Sequence, residues 1–168
     1  MRRGSRLRRR VAITASAWQT GGAACALAIV LATGRPAMPV GAQHIPQRIV
    51  SLAPSVTEML FVMGAGPRVV AVSSFDHFPA EVDRLPRVGA LVDPDLEKIL
   101  SLRPDLVITY GSQNDVAAKL AKANVPTFRY RHGSLGDVTT ALRELGRRLG
   151  MASTAESVAA GIEQDLDR

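Results

Sequence analysis

The segment RIVSLAPSVTEML, residues 48–60, decides the fold class of this chain. Its first half, IVSL at residues 49–52, is a short apolar run with the length of a β-strand, and Pro54 ends it. Ser55 and Glu58 then have the spacing of a capping box, in which each side chain accepts a hydrogen bond from the other residue's backbone amide. A helical apolar stripe follows and a glycine ends it: Val56, Met59, Leu60 and Met63, then Gly64. The segment therefore predicts a strand followed by an amphipathic helix.

The same alternation of short apolar runs and amphipathic stretches continues to residue 168. Strands are predicted at residues 69–72, 106–109 and 125–130, and helices from Pro94-Asp95 to Pro104 and at residues 113–123, 135–149 and 152–168. The run LVIT at residues 106–109 is nearly all apolar, which is typical of a strand covered on both faces. Strands and helices that alternate through short connections form a mostly parallel sheet. The predicted fold is therefore α/β, with a four- to five-stranded, mostly parallel sheet flanked by helices.

The first 42 residues have the pattern of an export signal. Six arginines occur in the first ten residues, an apolar run covers residues 23–32, and Val40-Gly41-Ala42 supplies small residues that signal peptidase accepts. We expect cleavage after Ala42, so that the mature chain begins at Gln43. The apolar run is about half as long as the ~20 residues of a membrane-spanning helix, and an uncleaved anchor is the alternative.

Two features of this segment suggest other export routes. Cys25 is the residue type that carries a lipid anchor, but Gly22 occupies the position of an expected bulky aliphatic residue. Arg9-Arg10 is compatible with a twin-arginine signal, but Val11-Ala12-Ile13 continues that motif poorly. We therefore expect a cleavable signal and a periplasmic product, with the general secretory and twin-arginine routes both open.

The charge distribution argues against nucleic acid as a partner. The chain has 21 Lys and Arg against 15 Asp and Glu, but seven of the basic residues lie in the first 42 positions and no acid precedes Glu58. Residues 43–168 therefore carry 14 basic and 15 acidic side chains, whereas a nucleic-acid binder carries its basic excess on the folded part. One cysteine is too few for a disulfide scaffold or a cysteine-ligated metal cluster.

The chain lacks the common signatures of enzymes. It has no phosphate-binding glycine loop, no GxSxG and no HExxH motif, and the Gly64-Ala65-Gly66 segment follows a helix instead of a strand. Asp76 and His77 are possible metal ligands after the second strand, but two ligands are too few for a site. We therefore expect no catalytic activity, no cofactor and no bound metal.

Aromatic residues follow the predicted strands instead. Ligands of parallel sheets bind beyond the carboxyl ends of the strands. The residues at those ends include Pro54 and Ser55 after strand one, Phe75 and Phe78 after strand two, and Tyr110 after strand three. Together they form a flat apolar platform with a polar edge, which suits a large planar ligand. The alternative interpretation is that the two phenylalanines plug their loop into the core.

Four segments of the chain resemble a known family. They are residues 48–60, VVAVSSFDHFP at 69–79, LPRVGALVDPDLEKILSLRPDLVIT at 85–109 and NVPTF at 124–128. They resemble the periplasmic substrate-binding proteins of ABC importers, and most closely the cobalamin, haem and ferric-siderophore class. The resemblance extends over about residues 46–168.

The resemblance implies two α/β lobes joined by one long rigid helix, with the ligand held between the lobes. Residues 43–150 are then the N-terminal lobe, and residues 151–168 begin the connecting helix. Cobalamin-binding members place aromatic residues after strands two and three in the cleft, at positions similar to Phe75 or Phe78 and to Tyr110. A further family aromatic falls near Ala90-Leu91, where this chain has none. The glutamate that docks on permease arginines corresponds to Glu97, although a solvated acid in the first helical turn is an equally simple interpretation.

Three functional hypotheses follow. The first is a monomeric, non-catalytic receptor that delivers an iron chelate or a corrinoid to an ABC permease in the inner membrane, from a truncated or split gene that lacks the second lobe. The second is a lone-lobe interaction module, or an inactive fragment, that docks on a permease through Glu97 without binding ligand. The third is a relative of nitrogenase-like proteins that hold metal clusters, which the absence of cysteine after residue 42 disfavours.

Overall fold

Four parallel strands form the sheet of the structure, a computed structural model that describes residues 44–166 and 168. The strands are β1 (Ile49–Ser51), β2 (Val69–Val72), β3 (Leu106–Tyr110) and β4 (Thr127–Tyr130), in the spatial order β2-β1-β3-β4. The α-helices of the described residues are α1 (Pro54–Val62), α2 (Leu96–Ser101), α3 (Asn114–Lys122), α4 (Leu135–Arg148) and α5 (Ala152–Leu166). Single turns of 3₁₀-helix occur at Gly66–Arg68 and Ala80–Arg84. The α/β fold with a parallel sheet flanked by helices, as predicted from the sequence, is confirmed.

The predicted export signal, its cleavage after Ala42 and the possible lipid attachment at Cys25 lie outside the described residues. Among the helices that the structure does describe, none is long and apolar enough to cross a membrane.

Helices cover both faces of the sheet, and each face has its own apolar core. Every residue of β1 and the first four residues of β3 are fully buried. One core joins the sheet to α1, α4 and α5 through residues that include Ile49, Leu60, Leu106, Leu142 and Ala155. The other joins the opposite face to α2 and α3 through Val50, Val107, Ile99 and Leu120. The two inner strands are therefore mostly apolar in sequence, because neither of their faces contacts solvent.

The start of β4 differs from the prediction by two residues. The backbone amide of Val125 donates to the carbonyl of Leu120 at 3.0 Å and so completes the C-terminal turn of α3. Pro126 has no amide proton to give to the sheet, although its carbonyl accepts from Val107 at 3.0 Å. Regular pairing therefore begins at Thr127.

The capping box predicted at Ser55 and Glu58 is wrong. Helix α1 begins one residue earlier, at Pro54, and its N-cap is Ala53, which makes no side-chain cap. Proline favours the first helical position because its φ is already helical and its missing amide proton has no partner there. Ser55 therefore lies inside the first turn, where its hydroxyl is buried and lacks a hydrogen-bond partner.

The predicted end of α1 at Gly64 is confirmed. Gly64 has a φ of +83°, and its amide donates to the carbonyl of Phe61 at 2.9 Å. The amide of Ala65 donates to Leu60 at 2.8 Å, which completes a Schellman motif. The capping box of the described chain opens α4 instead, where Ser134 and Asp137 exchange hydrogen bonds that lower the pKa of Asp137.

Helices α4 and α5 form a hairpin that is fixed by one arginine. Arg143 of α4 donates to Glu156 (Nε to Oε2, 2.8 Å) and to Glu163 (Nη1 to Oε1, 2.7 Å), two turns apart on α5. Hydrogen bonding to Arg143 lowers the pKa of both carboxyl groups, that of Glu163 to about 2. Gly146 of α4 also lies directly against Ala155 of α5, so the two helices approach closely at this point.

Two glycine-to-alanine substitutions test this close approach. A methyl group at Gly146 collides with Cβ of Ala155, whereas one at Gly161 of α5 meets no atom within 4 Å. We expect Gly146→Ala to lower the free energy of unfolding by about 1–3 kcal/mol through overpacking. Gly161→Ala should raise it by up to about 1 kcal/mol, because alanine favours the helix. Urea denaturation followed by circular dichroism measures both values, and equal effects of the two substitutions would contradict the packing described.

Candidate functional site

The residues predicted to bind ligand lie at one edge of the sheet. Because all four strands are parallel, their carboxyl ends lie along a single edge, which we call the carboxyl edge. The end of β1 lies between the ends of β2 and β3, and the chain crosses from one side of β1 to the other there. Such a change of direction leaves a crevice in which α/β proteins bind ligands. Pro54 and Ser55 follow β1, Phe75 and Phe78 follow β2, and Tyr110 is the last residue of β3.

The loop after β2 presents its two phenylalanine rings to solvent. Phe75 is 62% exposed and Phe78 is 64% exposed. Neither ring therefore fills the core, and the alternative interpretation, in which they plug the loop into it, is wrong. Two exposed aromatic rings in one loop give this edge of the sheet an apolar surface.

Hydrogen bonds beneath the rings fix this loop. The carboxylate of Asp76 is fully buried, and its Oδ2 accepts from the amide of Ser73 at 2.9 Å and from the Ser73 hydroxyl. The Ser73 hydroxyl oxygen accepts from the amide of Phe75 at 3.2 Å. From the other side, Arg87 donates to the carbonyls of Ser73 and Asp76. The buried carboxylate therefore has a structural role in holding the loop that carries both rings.

Asp76 and His77 do not form a metal site with other ligands. The Oδ2 atom of Asp76 accepts from Ser73, whereas its Oδ1 atom is buried without a hydrogen-bond partner, and the His77 side chain is exposed to solvent. Within residues 44–166 and 168, no group of three or more His, Cys, Asp or Glu side chains has the geometry to hold a metal ion.

Tyr110 lies at the end of β3, half-buried and beside a second tyrosine. Its ring packs edge-to-face against Tyr130 of β4, with ring centroids 5.9 Å apart. Its backbone amide donates to Oε1 of Gln113 at 2.9 Å, and Nε2 of Gln113 donates to the carbonyl of Leu91 at 2.8 Å. Gln113 therefore ties the end of β3 to the loop that contains Leu91.

The loop of residues 89–94 is a part of the carboxyl edge that the sequence reasoning missed. Gly89 and Pro94 pair as an antiparallel bridge, and Gly89 has a φ of +91°. Val92 at the tip is 91% exposed. A glycine and a proline that bracket a short apolar segment are a turn signal, which could have indicated this small hairpin. The loop adds an aliphatic surface near Tyr110, at the position where the sequence resemblance leads one to expect an aromatic residue.

Glu97 lies in the first turn of α2, with its side chain exposed. The side chain of Asp95 caps this helix by accepting from the amide of Lys98 at 2.9 Å. Only four residues separate α2 from β3, so the helix runs antiparallel to that strand and its first turn points towards the carboxyl edge. Glu97 therefore lies towards the same edge of the sheet as the aromatic residues.

A family comparison agrees with this geometry. The model of the family described as periplasmic binding protein matches residues 49–168, which include all the strands and helices described above. The chain belongs to this family. The family assignment made from the sequence segments is therefore confirmed.

Individual relatives cover the same region. The chain is 33% identical over 129 residues to a vitamin B12-binding protein of Pectobacterium carotovorum, across 76% of this chain and 47% of the relative. It is similar to a periplasmic haem-binding protein from Pseudomonas aeruginosa, with a TM-score of 0.70 and 29% identity over 74% of this chain and 46% of the other. For a periplasmic vitamin B12-binding protein of Vibrio cholerae the TM-score is 0.67 and the identity 29%, over 73% and 49% of the two chains. The chain thus spans about half the length of the curated relatives it matches.

Stability measurements test whether the exposed phenylalanines are free of the core. We expect the double substitution Phe75→Ala and Phe78→Ala to change the free energy of unfolding by no more than about 0.5 kcal/mol per site. Phe128→Ala is the matched control, because this buried ring of β4 contributes about 3–5 kcal/mol. Chemical denaturation measures both. A double variant as unstable as the Phe128 variant would show that the loop rings support the core.

Proposed function

We propose that this chain supplies the N-terminal lobe of an extracytoplasmic solute-binding component of an ABC importer, and that its ligand is an iron chelate or a corrinoid. In this proposal residues 1–42 are an export signal, residues 43–150 form the lobe and residues 151–168 begin the helix that leads to a second lobe. The ligand is then held between the carboxyl edge of this sheet and the facing lobe.

The main support for the proposal is the pair of exposed phenylalanines, Phe75 and Phe78. They lie on a hydrogen-bonded loop beside the end of β1, where the chain changes direction across the sheet. Burial of one aromatic side chain contributes about 1.5–3 kcal/mol to binding. Both exposed rings of this loop would be buried by a ligand with a flat apolar face. Two of the relatives are named for haem and vitamin B12, and both of these ligands are large planar macrocycles. The shape of the surface and the ligands of the relatives therefore favour the same class.

The arrangement of polar groups supports binding without a reaction. His77 and His132 follow β2 and β4, which are the two outer strands of the sheet, so they are far apart in the strand order. The buried carboxylate of Asp76 accepts two hydrogen bonds from Ser73 through its Oδ2 atom. Asp76 and Ser73 hold the loop after β2, and we assign no catalytic role to Asp76, His77 or His132.

Ligand titration followed by nuclear magnetic resonance tests the proposal, because chemical shifts detect weak as well as tight binding. We would add cyanocobalamin, gallium protoporphyrin and gallium desferrioxamine, which are all diamagnetic, to the ¹⁵N-labelled chain. At least one should shift the amide signals of the carboxyl edge, namely those of Ser55, Phe75, Phe78 and Tyr110. The combined Phe75→Ala and Phe78→Ala substitution should weaken that binding about tenfold or more, because it removes two apolar contacts.

The control variant for this titration is Ile45→Ala. Ile45 is another exposed apolar side chain, but it precedes β1 and so lies at the opposite edge of the sheet. Its substitution should leave the affinity unchanged. Shifts confined to the region of Ile45, or no shifts with any of the three compounds, would contradict the proposed ligand class.

We further propose that Glu97 contacts basic residues of the permease. Its exposure and its place near the carboxyl edge leave the carboxylate free to meet a partner that receives ligand from this edge. This contact is also the basis of the second candidate function, a lone lobe that docks on a permease without carrying ligand. Only the first candidate function predicts that the macrocycles bind to this chain.

A binding measurement with the cognate permease in lipid nanodiscs tests the role of Glu97. We expect Glu97→Ala to weaken association about fivefold or more at low salt, with less effect at high salt, because an interfacial charge pair is lost. Glu81→Ala is the control, since it removes an equally exposed acid from the turn at Ala80–Arg84. Equal affinities of the two variants would remove Glu97 from the docking surface.

A further inference from the structure

Arg131 is the first residue after β4, so it lies at the carboxyl edge, next to the end of β3. Its side chain is exposed, and among the residues that the structure describes its guanidinium group forms no ion pair. The other arginine of this segment, Arg129, is engaged within the protein, because it donates to the carbonyl of Gly111 at 2.6 Å and to Oδ1 of Asn114. Arg131 is therefore the arginine of this segment that is available to a ligand.

The aliphatic stem of Arg131 lies across Gly111, the residue that follows Tyr110. A Cβ atom at Gly111 would be 2.9 Å from Cγ of Arg131 and 3.4 Å from its Nε. The backbone of Gly111 is held on both sides, because its amide donates to the carbonyl of Tyr130 at 2.7 Å and its carbonyl accepts from Arg129 at 2.6 Å. A glycine at this position therefore lets the arginine pack on a fixed backbone segment beside Tyr110.

Nearby carboxylates leave the charge of Arg131 unpaired. Asp137 and Glu144 of α4 line the same cavity of about 330 Å³ as Arg131. However, Oδ2 of Asp137 accepts from the amide and from the hydroxyl of Ser134, each at 2.7 Å. Neither acid forms an ion pair with Arg131 in the part of the chain that the structure describes. An anionic group of a ligand can therefore contact this guanidinium without displacing a carboxylate of the protein.

Arg131 and the pair of phenylalanines lie at opposite ends of the carboxyl edge. Strands β2 and β4 are the outer strands of the order β2-β1-β3-β4, and three strand spacings place them about 14 Å apart. A macrocycle with its side groups has a similar width. A ligand with its ring on Phe75 and Phe78 therefore extends towards Arg131 with its side groups.

We propose that Arg131 is a specificity-determining residue of the ligand site, and that the ligand carries an anionic side group, a carboxylate or a phosphate ester, which Arg131 binds. The guanidinium group has five donors in a planar arrangement that matches both of these anions. This role rests on the proposed function, because Arg131 contacts a ligand only if the ligand binds at the carboxyl edge. It adds the charge of the ligand, which the apolar rings do not determine.

Two pairs of diamagnetic probes test the role of Arg131. Gallium protoporphyrin carries two carboxylates, and its diamide has the same macrocycle with both carboxylates converted to neutral amides. Cyanocobalamin carries a phosphate ester, which dicyanocobinamide lacks together with the attached nucleotide. We would titrate each probe into the ¹⁵N-labelled full chain at low ionic strength and follow the amide signals of Gly111 and Arg131. In at least one pair, the probe with the anionic group should bind about fivefold more tightly, and that pair identifies the anion.

Arg131→Gln removes the charge and keeps a side chain of similar shape. It should weaken binding of the preferred anionic probe about fivefold and change the affinity of its neutral partner by less than about twofold. Added salt should reduce the difference between the two probes in the unmodified chain. Arg147→Gln is the matched control, because it removes an exposed arginine from the last turn of α4, at the opposite edge of the sheet. It should leave all four affinities unchanged.

Gly111→Ala changes the position of the arginine and leaves its charge in place. The φ of Gly111 is not positive, so alanine fits the backbone, but its methyl group displaces the stem of Arg131. We expect weaker binding of the anionic probe, as in Arg131→Gln. The control is Gly136→Ala, since a methyl group there meets only Oγ of Ser134, at 3.8 Å.

The possible results separate the role of Arg131 from the proposed function. Equal affinities within both pairs, or affinities that Arg131→Gln leaves unchanged, would overturn the role of Arg131 while the ligand site at the carboxyl edge stands. If none of the four probes shifts signals at the carboxyl edge, the proposed function is wrong, and the role of Arg131 is wrong with it.

Discussion

Parallel pairing of β1 with both β2 and β3 is the constraint on which the rest of the structure depends. It buries the central strands between two helical layers and directs every strand towards the same edge of the sheet. Because the central strands are mostly apolar and buried, polar and aromatic residues that are able to contact a ligand occur at the strand ends and in the segments that follow them. The positions of Ser55, Phe75, Phe78 and Tyr110 at one edge of the sheet are a consequence of this pairing.

Sequence reasoning predicted those features that depend on local pattern. The apolar runs at β1, β2 and β3 and the stripes of the helices are strong signals, because strand and helix periodicities differ. The prediction of Ser55 as the N-cap of α1 is wrong, because the sequence contains two signals for the start of this helix. Pro54 at the first helical position determines the start, and the capping-box spacing of Ser55 and Glu58 does not. The Gln113 link to Leu91 and the pair of Tyr110 with Tyr130 join residues distant in sequence, and no local pattern could predict them.

At the carboxyl edge, a loop held by hydrogen bonds carries aromatic rings that are exposed to solvent. Asp76, Ser73 and Arg87 hold the loop after β2 through buried hydrogen bonds, while the rings of Phe75 and Phe78 remain in solvent. For the proposed ligand this arrangement lowers the conformational cost of binding, since hydrogen bonds already hold the loop. Arg143 links α5 to α4 through two ion pairs, and both helices pack on the same face of the sheet.

A crystal structure of the chain with cyanocobalamin or gallium protoporphyrin would show directly whether the carboxyl edge binds a macrocycle. We expect the macrocycle at this edge, with one face against Phe75 and Phe78 and with Tyr110 at its side. A macrocycle bound elsewhere on the chain, with both phenylalanine rings still in solvent, would contradict it.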